Sequence, residues 1–412
     1  MRHRTSGSTI ALKAVCATIF AVFLIKFIYS FQGDVLAMIQ YAWSGHETHY
    51  DRTIGTVVIV AVCAIVTGIF LPMSRLPISL YSLHFAPAVM LVTALTSVEV
   101  DADGKVTMEP VGLIGSLTIL LTVIILSRMD FSVYSHSDYR HVPLFSHTWF
   151  INMLLSLLVM VSAFCLSNND RVLHTQLAVE RLCSERKYKE AAALGLPQHD
   201  HGSSLTMLRA LSLSRQPFGK YTMLGERLFC YNIDGRESMQ GILIRQGRGG
   251  EPRFLLHHGY GQWQALGFVP RNLNEPAERY LLRELRRGTS RPAAVDYLLC
   301  NYLLRKQLRN FVEAFHKYYK IEKGDDLPKN YAEALTMYYG SMAADSSYVS
   351  PAMKADYRDF MTMMRKYKVS DGRQARIRDA YFGTYWYYYY TAEPSSSQFI
   401  VEALRATKTL KP

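Results

Sequence analysis

The stretch that decides the fold is Trp149-Phe-Ile-Asn-Met-Leu-Leu-Ser-Leu-Leu-Val-Met-Val-Ser-Ala-Phe-Cys-Leu166, followed by Ser167-Asn168-Asn169-Asp170. As a helix rising 1.5 Å per residue, the apolar run is about 27 Å long, enough to cross the hydrocarbon core of a bilayer. The polar tetrapeptide ends it, and from Val172 onward the sequence is charged and helix-forming at short intervals. The 412-residue chain therefore reads as membrane before this point and as a soluble helical domain after it.

Charge follows the same division. Residues 1–167 carry 9 Lys/Arg and 9 Asp/Glu, whereas residues 168–412 carry 37 and 25, so the formal net charge of +12 belongs to the second part alone. The mean hydropathy of +0.01 is an average over two unlike halves.

Four further apolar runs precede the fifth, at 10–31, 54–72, 77–98 and 111–127. Helices are the expected form, because lipid offers no partners and each span must satisfy its own backbone. The first run follows Arg2 and Arg4, as a signal peptide would. Its length, Lys13 and Lys26 within it, and the lack of a small-x-small cleavage site mark it instead as a retained helix. With the N-terminus inside, Arg2, Arg4, Arg75, Arg128 and Arg140 fall on inner segments, and only Arg52 and Lys105 on outer ones. The outer loops hold Asp34, Glu47, Asp51, Glu99, Asp101, Asp103 and Glu109. This positive-inside bias predicts a multi-pass protein of the bacterial inner (cytoplasmic) membrane, N-terminus cytoplasmic and residues 168–412 periplasmic. The second and third spans, separated only by Met73-Ser-Arg-Leu76, carry most of that assignment.

Side chains with chemistry are few. His84, three residues before Pro87, reads as a neutral histidine bonded to a neighbouring helix, and Lys26 as a snorkelling cation. His46-Glu47-Thr48-His49 with Asp51 lacks the spacing that places two histidines on one helical face. Asp101-Ala-Asp103-Gly104-Lys105 reads as a turn, without the later ligands of a calcium loop. Cys16, Cys63 and Cys165 lie in apolar spans, and Cys183, Cys230 and Cys300 have no CxxC spacing. No catalytic residue, metal site or cofactor is assigned. His199, His201, His257 and His258 receive no role.

Turn signals divide the second part into candidate helices at 171–185, 188–195, 204–215, 219–230, 253–266, 276–287, 292–306, 308–321, 328–340, 352–367, 371–382 and 384–391. A Gly/Arg-rich stretch at 232–252 reads as a long loop. Short helices with short connections predict an all-α fold: about five transmembrane helices followed by an irregular tetratricopeptide-like (TPR-like) α-solenoid. Tyr188-Lys-Glu-Ala191 and Phe311-Val-Glu-Ala314 share the aromatic-to-small spacing of a TPR hairpin, but they lie 123 residues apart, not a multiple of 34.

Ala294-Val-Asp-Tyr-Leu-Leu-Cys-Asn-Tyr-Leu-Leu304, Asn310-Phe-Val-Glu-Ala-Phe315, Leu327-Pro-Lys-Asn-Tyr-Ala-Glu-Ala-Leu335 and Gly383-Thr-Tyr-Trp-Tyr-Tyr388 carry a resemblance. In these phrases, over about 290–390, the chain resembles an uncharacterised family of bacterial polytopic inner-membrane proteins that end in TPR-like helices. That resemblance implies architecture and no catalytic residues.

Two features are candidate contacts for a protein partner. Arg279, Arg283, Arg286 and Arg287 recur at helical spacing on one face, with Arg291 beyond, and Arg365, Lys366, Lys368, Arg373, Arg376 and Arg378 form a second basic cluster. The run Tyr385-Trp-Tyr-Tyr-Tyr-Tyr390 puts rings on every side of a helix, so part of it must be core, and Tyr385, Trp386, Tyr388 and Tyr389 are also candidate contacts. The expected role is a membrane-anchored scaffold or adaptor, a possible membrane-complex subunit touching protein and the lipid bilayer. Nucleic acid is excluded by the expected location and the lack of a binding motif. The alternative is an envelope enzyme or accessory subunit acting on lipid-linked or surface glycans through acids such as Asp34, Glu47, Asp51, Asp101 or Asp103. A reporter pair fused after residue 412, one active only outside the membrane and one only inside, is expected to give the outside signal; an inside signal overturns the five-span orientation.

Overall fold

The computed structural model describes residues 7–45, 47–100, 105–129, 146–195, 203–227, 276–287, 292–321, 326–340, 349–366 and 371–391. They form two units, one up to His174 and one from Thr175.

The first unit contains α1 (Gly7–Lys26), α2 (Gly33–Trp43), α3 (Arg52–Met73), α4 (Ala86–Thr96), α5 (Pro110–Arg128) and α6 (His147–Leu166). Five helical stretches are long and apolar enough to cross a membrane: Gly7–Phe31, Arg52–Met73, Ile78–Thr96, Pro110–Arg128 and His147–Leu166. Their outward faces carry exposed Ile54, Val57, Ile65, Ile114, Leu121, Phe150 and Leu158, an apolar surface that suits lipid and not water.

Local chemistry shapes two of the spans. The first ends in a π-helical turn, Phe27–Phe31, where Phe31 stacks on Phe164 of α6 and on His174. The third, expected as one helix, is a 3₁₀ segment (Ile78–Phe85) that becomes α-helical at Ala86. Pro87 explains the break: it has no N–H to donate, and its ring would clash with the carbonyl four residues earlier, so it suits the first turn of α4. This third span is the most enclosed of the five. Asn152 of α6 grips it, accepting from the Ser82 N–H at 2.9 Å and donating to the Ile78 carbonyl at 3.0 Å. Ser156 adds a hydroxyl contact to Ser82 at 3.0 Å. His84 is buried, with Nδ1 at 2.7 Å from the Tyr81 carbonyl and Nε2 at 2.5 Å from Ser74 Oγ. A carbonyl only accepts, so Nδ1 carries a proton, while Nε2 shares a hydrogen bond with the Ser74 hydroxyl.

The helix ends alternate. At one end the Arg75 N–H donates to the Ser127 carbonyl at 2.9 Å, joining the exits of the second and fourth spans. At the other, the polar switch after α6 is tied to three neighbours. Gln32 donates to Ser167 Oγ and to the Asn168 carbonyl, Asn168 N–H to the Thr96 carbonyl, and Asn168 Nδ2 to the Val98 carbonyl. Between the third and fourth spans, in the expected outer loop, a two-stranded antiparallel hairpin forms from β1 (Val98–Val100) and β2 (Val106–Met108). Asp101 and Asp103 lie outside the described residues.

The second unit comprises α7 (Arg171–Ser184, whose first turns lie in the first unit), α8 (Tyr188–Ala193), α9 (Ser203–Ser214), β3 (Pro217–Phe218), β4 (Tyr221–Thr222), α10 (Leu224–Arg227), α11 (Ala277–Arg286), α12 (Pro292–Leu304), α13 (Leu308–Tyr318), α14 (Lys329–Gly340), α15 (Pro351–Lys366), α16 (Asp371–Tyr381) and α17 (Tyr385–Thr391). In place of the helix expected over 219–230, the described residues up to Arg227 form a hairpin and a single short turn. Gly219 explains this: its φ of +57° suits the first central position of a tight two-residue turn, and Phe218 pairs with Tyr221 across it. The expected loop at 232–252 and helix at 253–266 lie outside the described residues.

Helices α7–α8 and α12–α13 turn in the same way. Lys187 donates to the Leu182 carbonyl and Arg186 to Cys183, just as Gln307 donates to Tyr302 and Lys306 to Leu303. Both are Schellman turns in which Arg186 (φ 60°) and Lys306 (φ 57°) take the left-handed position that glycine usually fills. Matched on these turns, the hairpins are offset by 120 residues. Tyr188 therefore corresponds to Leu308, not Phe311, so the expected aromatic correspondence is not a structural one. Among the described residues, the regular structure of this unit is all helical apart from its small hairpin.

Packing in the first unit is tightest where α5 passes α6: a Cβ on Gly112 would lie 2.2 Å from the Leu166 carbonyl and 2.0 Å from Ser97 Oγ. Gly68 on α3 has nothing within 4 Å. Gly112→Ala is expected to cost about 1–3 kcal/mol by overpacking, while Gly68→Ala leaves stability equal or slightly higher. Thermal unfolding of the detergent-purified chain reads both, and equal midpoints for the two variants would contradict this packing.

Candidate functional site

Helix α12 is the centre of the second unit. Ala294 through Leu304 are all buried, so every polar group along that length needs a partner from a neighbouring element. Asp296 is the one acid in this apolar run. It accepts from the Thr222 N–H at 2.7 Å and Thr222 Oγ1 at 2.8 Å on β4, and from the Tyr331 hydroxyl of α14 at 2.9 Å. Burial pushes its carboxyl up to about 7, against the opposing pull of these donors. Cys300 lies one turn on, 3.6 Å from the same Tyr331 hydroxyl, and burial pushes its thiol up as well. Gly225 leaves room for the Tyr331 ring, since a Cβ there would lie 2.5 Å from it.

The C-terminal end of α12 is closed by tyrosines. The hydroxyls of Tyr385 and Tyr388 donate to the Leu303 and Leu304 carbonyls at 3.3 and 2.8 Å, and Lys306 lies within 6 Å of the Tyr388 and Tyr389 rings. The Tyr385 N–H itself donates to Glu333 of α14 at 2.6 Å. Glu333 is 1 % exposed, and burial raises its carboxyl to about 7 despite that bond and Lys329, 3.8 Å away.

This arrangement sorts the residues singled out in the sequence. Tyr385, Trp386 and Tyr388 are 0, 3 and 5 % exposed; they are core, stacking or hydrogen-bonding against α12 and α15, and are not available as partner contacts. Tyr389 is half-buried. On α11, Ala277, Tyr280 and Leu281 face the core, and the arginines fan from the flank to the solvent pole. Arg283 is half-buried, its guanidinium 5.6 Å from the Tyr280 ring, and Arg287 pairs with Glu284 at 3.2 Å. Arg279 and Arg286 are exposed, with no acidic partner among the described residues. Arg291, Lys368 and the Arg373 side chain lie outside the described residues.

Two acids of the glycan-enzyme reading, Asp34 and Asp51, have other duties. Asp34 is ion-paired with Arg52, and Asp51 caps α3 by accepting from the Ile54 N–H at 2.8 Å. Among the described residues no group of three His, Cys, Asp or Glu side chains could hold a metal. A cleft of about 310 Å³ opens between the β3–β4 turn and the segment after α13, lined by Lys220, Tyr221, Tyr319, Lys320 and Asp326. Tyr221 and Tyr319 stack on each other at 3.8 Å, and the Tyr221 hydroxyl bonds Lys320 N–H and the Tyr318 carbonyl. Its aromatic wall is thus largely self-occupied.

Residues 273–392 match the model of a family of unknown function, DUF6057. The match spans α11 through α17, the arginine helix, the enclosed helix and the tyrosine helix together, in the same region as the family resemblance of the sequence. No curated protein and no solved structure matches the chain.

Asp296 and Glu333 escaped the sequence reading. The available signal was a single acid within an otherwise apolar segment, which demands a buried partner. Their titration sets a pH dependence. A carboxyl raised in the folded state stabilises fully below its unfolded value of about 4 and loses that contribution as pH rises to about 7. Unfolding midpoints of the chain are therefore expected to fall from pH 5 to pH 8, and Asp296→Asn with Glu333→Gln to flatten the fall. Asp296→Ala strands the Thr222 N–H, at about 1–3 kcal/mol, while the Tyr331 hydroxyl keeps the Asp296 main-chain carbonyl at 3.4 Å. An unchanged pH slope in the double variant would refute the assignment.

Proposed function

We propose that this chain is a membrane-anchored adaptor of the bacterial envelope. Its bundle holds the helical domain at the outer face of the inner membrane, and α11 offers Arg279 and Arg286 to an acidic protein partner. The observation that carries this reading is that two exposed arginines, without acidic partners among the described residues, stand on a helix fixed to an enclosed core. Such a mount keeps the cations spaced and ordered before a partner arrives, which lowers the entropic cost of binding. Charge complementarity of this kind governs association rate and choice of partner more than total affinity.

The placement rests on two features of the bundle. Its helix ends alternate, so the chain leaves the fifth span at the end opposite to where it entered the first. Arg75 and Arg128 stand at one end, and Asp34, Glu47, Asp51, Glu99 and Glu109 lie on segments at the other. The positive-inside bias makes the first end cytoplasmic. Paired helical hairpins joined by equivalent turns support a TPR-like domain that binds protein, and the glycan-enzyme alternative draws no comparable support.

The test is photo-crosslinking in the intact membrane from positions 279 and 286, with exposed Arg358 on α15 as control position. One discrete adduct from 279 and 286, absent from 358 and abolished by Arg279→Glu with Arg286→Glu, is the expected result. Identical adduct patterns from all three positions would overturn the adaptor reading of α11.

A further inference from the structure

We propose that the end of the five-helix bundle opposite the acidic loops binds the headgroup of an anionic phospholipid through Lys13, Arg75 and Arg128.

The three cations come from separate segments, yet one chain of contacts joins them. Lys13 Nζ lies 5.5 Å from the Tyr81 ring, and that ring is 5.1 Å from His84. His84 meets Ser74, the residue before Arg75, whose N–H bonds the carbonyl of Ser127, the residue before Arg128. All three cations are exposed, and none has an acidic partner among the described residues. The acids described in this unit, Asp34, Glu47, Asp51, Glu99, Glu109 and Asp170, belong to segments at the other end. Positive charge beside a bilayer, without an acidic partner among the described residues, attracts anionic headgroups.

Polar groups at the same end also lack partners. Thr9 Oγ1, Ser146 Oγ and Trp149 Nε1 are buried without a hydrogen-bond partner among the described residues, and they sit at the starts of α1 and α6. Trp149 packs with Tyr81 on the Leu12 and Cys16 cluster beneath Lys13, so the orphan donors and the cations share a neighbourhood. What commits the site to a lipid is the apolar surface beside the charge. Ile10, Met73 and Met129, close in sequence to the three cations, are 55, 54 and 49 % exposed, giving acyl chains a surface that inorganic phosphate would not use.

The full chain, purified in mild detergent, is titrated with phosphatidylglycerol or phosphatidylethanolamine of the same acyl composition, and bound lipid is counted by native mass spectrometry. The expected result is selective retention of phosphatidylglycerol, falling about fivefold for each cation neutralised in Lys13→Gln, Arg75→Gln and Arg128→Gln. Lys26→Gln, at the opposite end, is expected to leave it unchanged. Added salt provides a second reading on the unaltered chain, independent of how the triple variant folds, and the selectivity is expected to decline with ionic strength. Equal retention of the two lipids, selectivity that survives both the triple variant and salt, or displacement of the lipid by inorganic phosphate alone would each overturn the proposal.

Discussion

Enclosure of α12 is the constraint on which the second unit depends. A helix buried along eleven consecutive residues, Ala294 to Leu304, has no solvent-facing side on which to place a polar group. Asp296 must then be satisfied by β4 and α14, and the last carbonyls of the helix by α17. These bonds fix where the surrounding elements sit. The β3–β4 hairpin is placed by Thr222, α14 by Tyr331, and α17 by the hydroxyls of Tyr385 and Tyr388. Arginines on α11 owe their fixed spacing to the same centre, because Tyr280 and Leu281 dock into it.

The first unit solves a different problem with similar parts. Lipid removes the hydrophobic drive between helices, so close packing and interhelical hydrogen bonds must hold the bundle. Asn152, Ser156 and Ser82 supply the bonds, and Gly112 supplies the close approach. Polar chemistry is concentrated on the third span, the most enclosed one, while α3 turns most of its surface outward. The switch that follows α6 is not a loose linker: Asn168 alone bonds the ends of Thr96, Val98 and Gln32.

Legibility followed the range of the forces involved. All five spans could be read because hydropathy over some twenty residues is a local sum that tertiary contacts do not reverse. The 3₁₀ start of the third span was readable in principle from Pro87 but was masked by the apolar run around it. A helix was expected at 219–230 because its composition is helix-compatible, and one positive φ at Gly219 overrode that composition. The tyrosine run showed only that some rings must be buried; which ones depends on contacts 82 and 84 residues away. The apparent TPR spacing paired Tyr188 with Phe311, whereas the backbone turns, set by Arg186 and Lys306, pair it with Leu308. On α11, helical periodicity correctly grouped the arginines, but not how Tyr280 and Glu284 would occupy two of them.

The closure of α12 by α17 has a consequence for synthesis. The carbonyls of Leu303 and Leu304 leave the ribosome long before the hydroxyls that cover them, and Glu333 emerges 52 residues ahead of the amide it receives. Through that interval the nascent domain exposes the site that α17 will occupy, with its aromatic bed and unpaired carbonyls open to chaperones and proteases. A product that stops short of Tyr385 never covers it. Burial of the tyrosine helix thus separates chains that extend past Tyr388 from those that stop before Tyr385, because only the former can make these contacts.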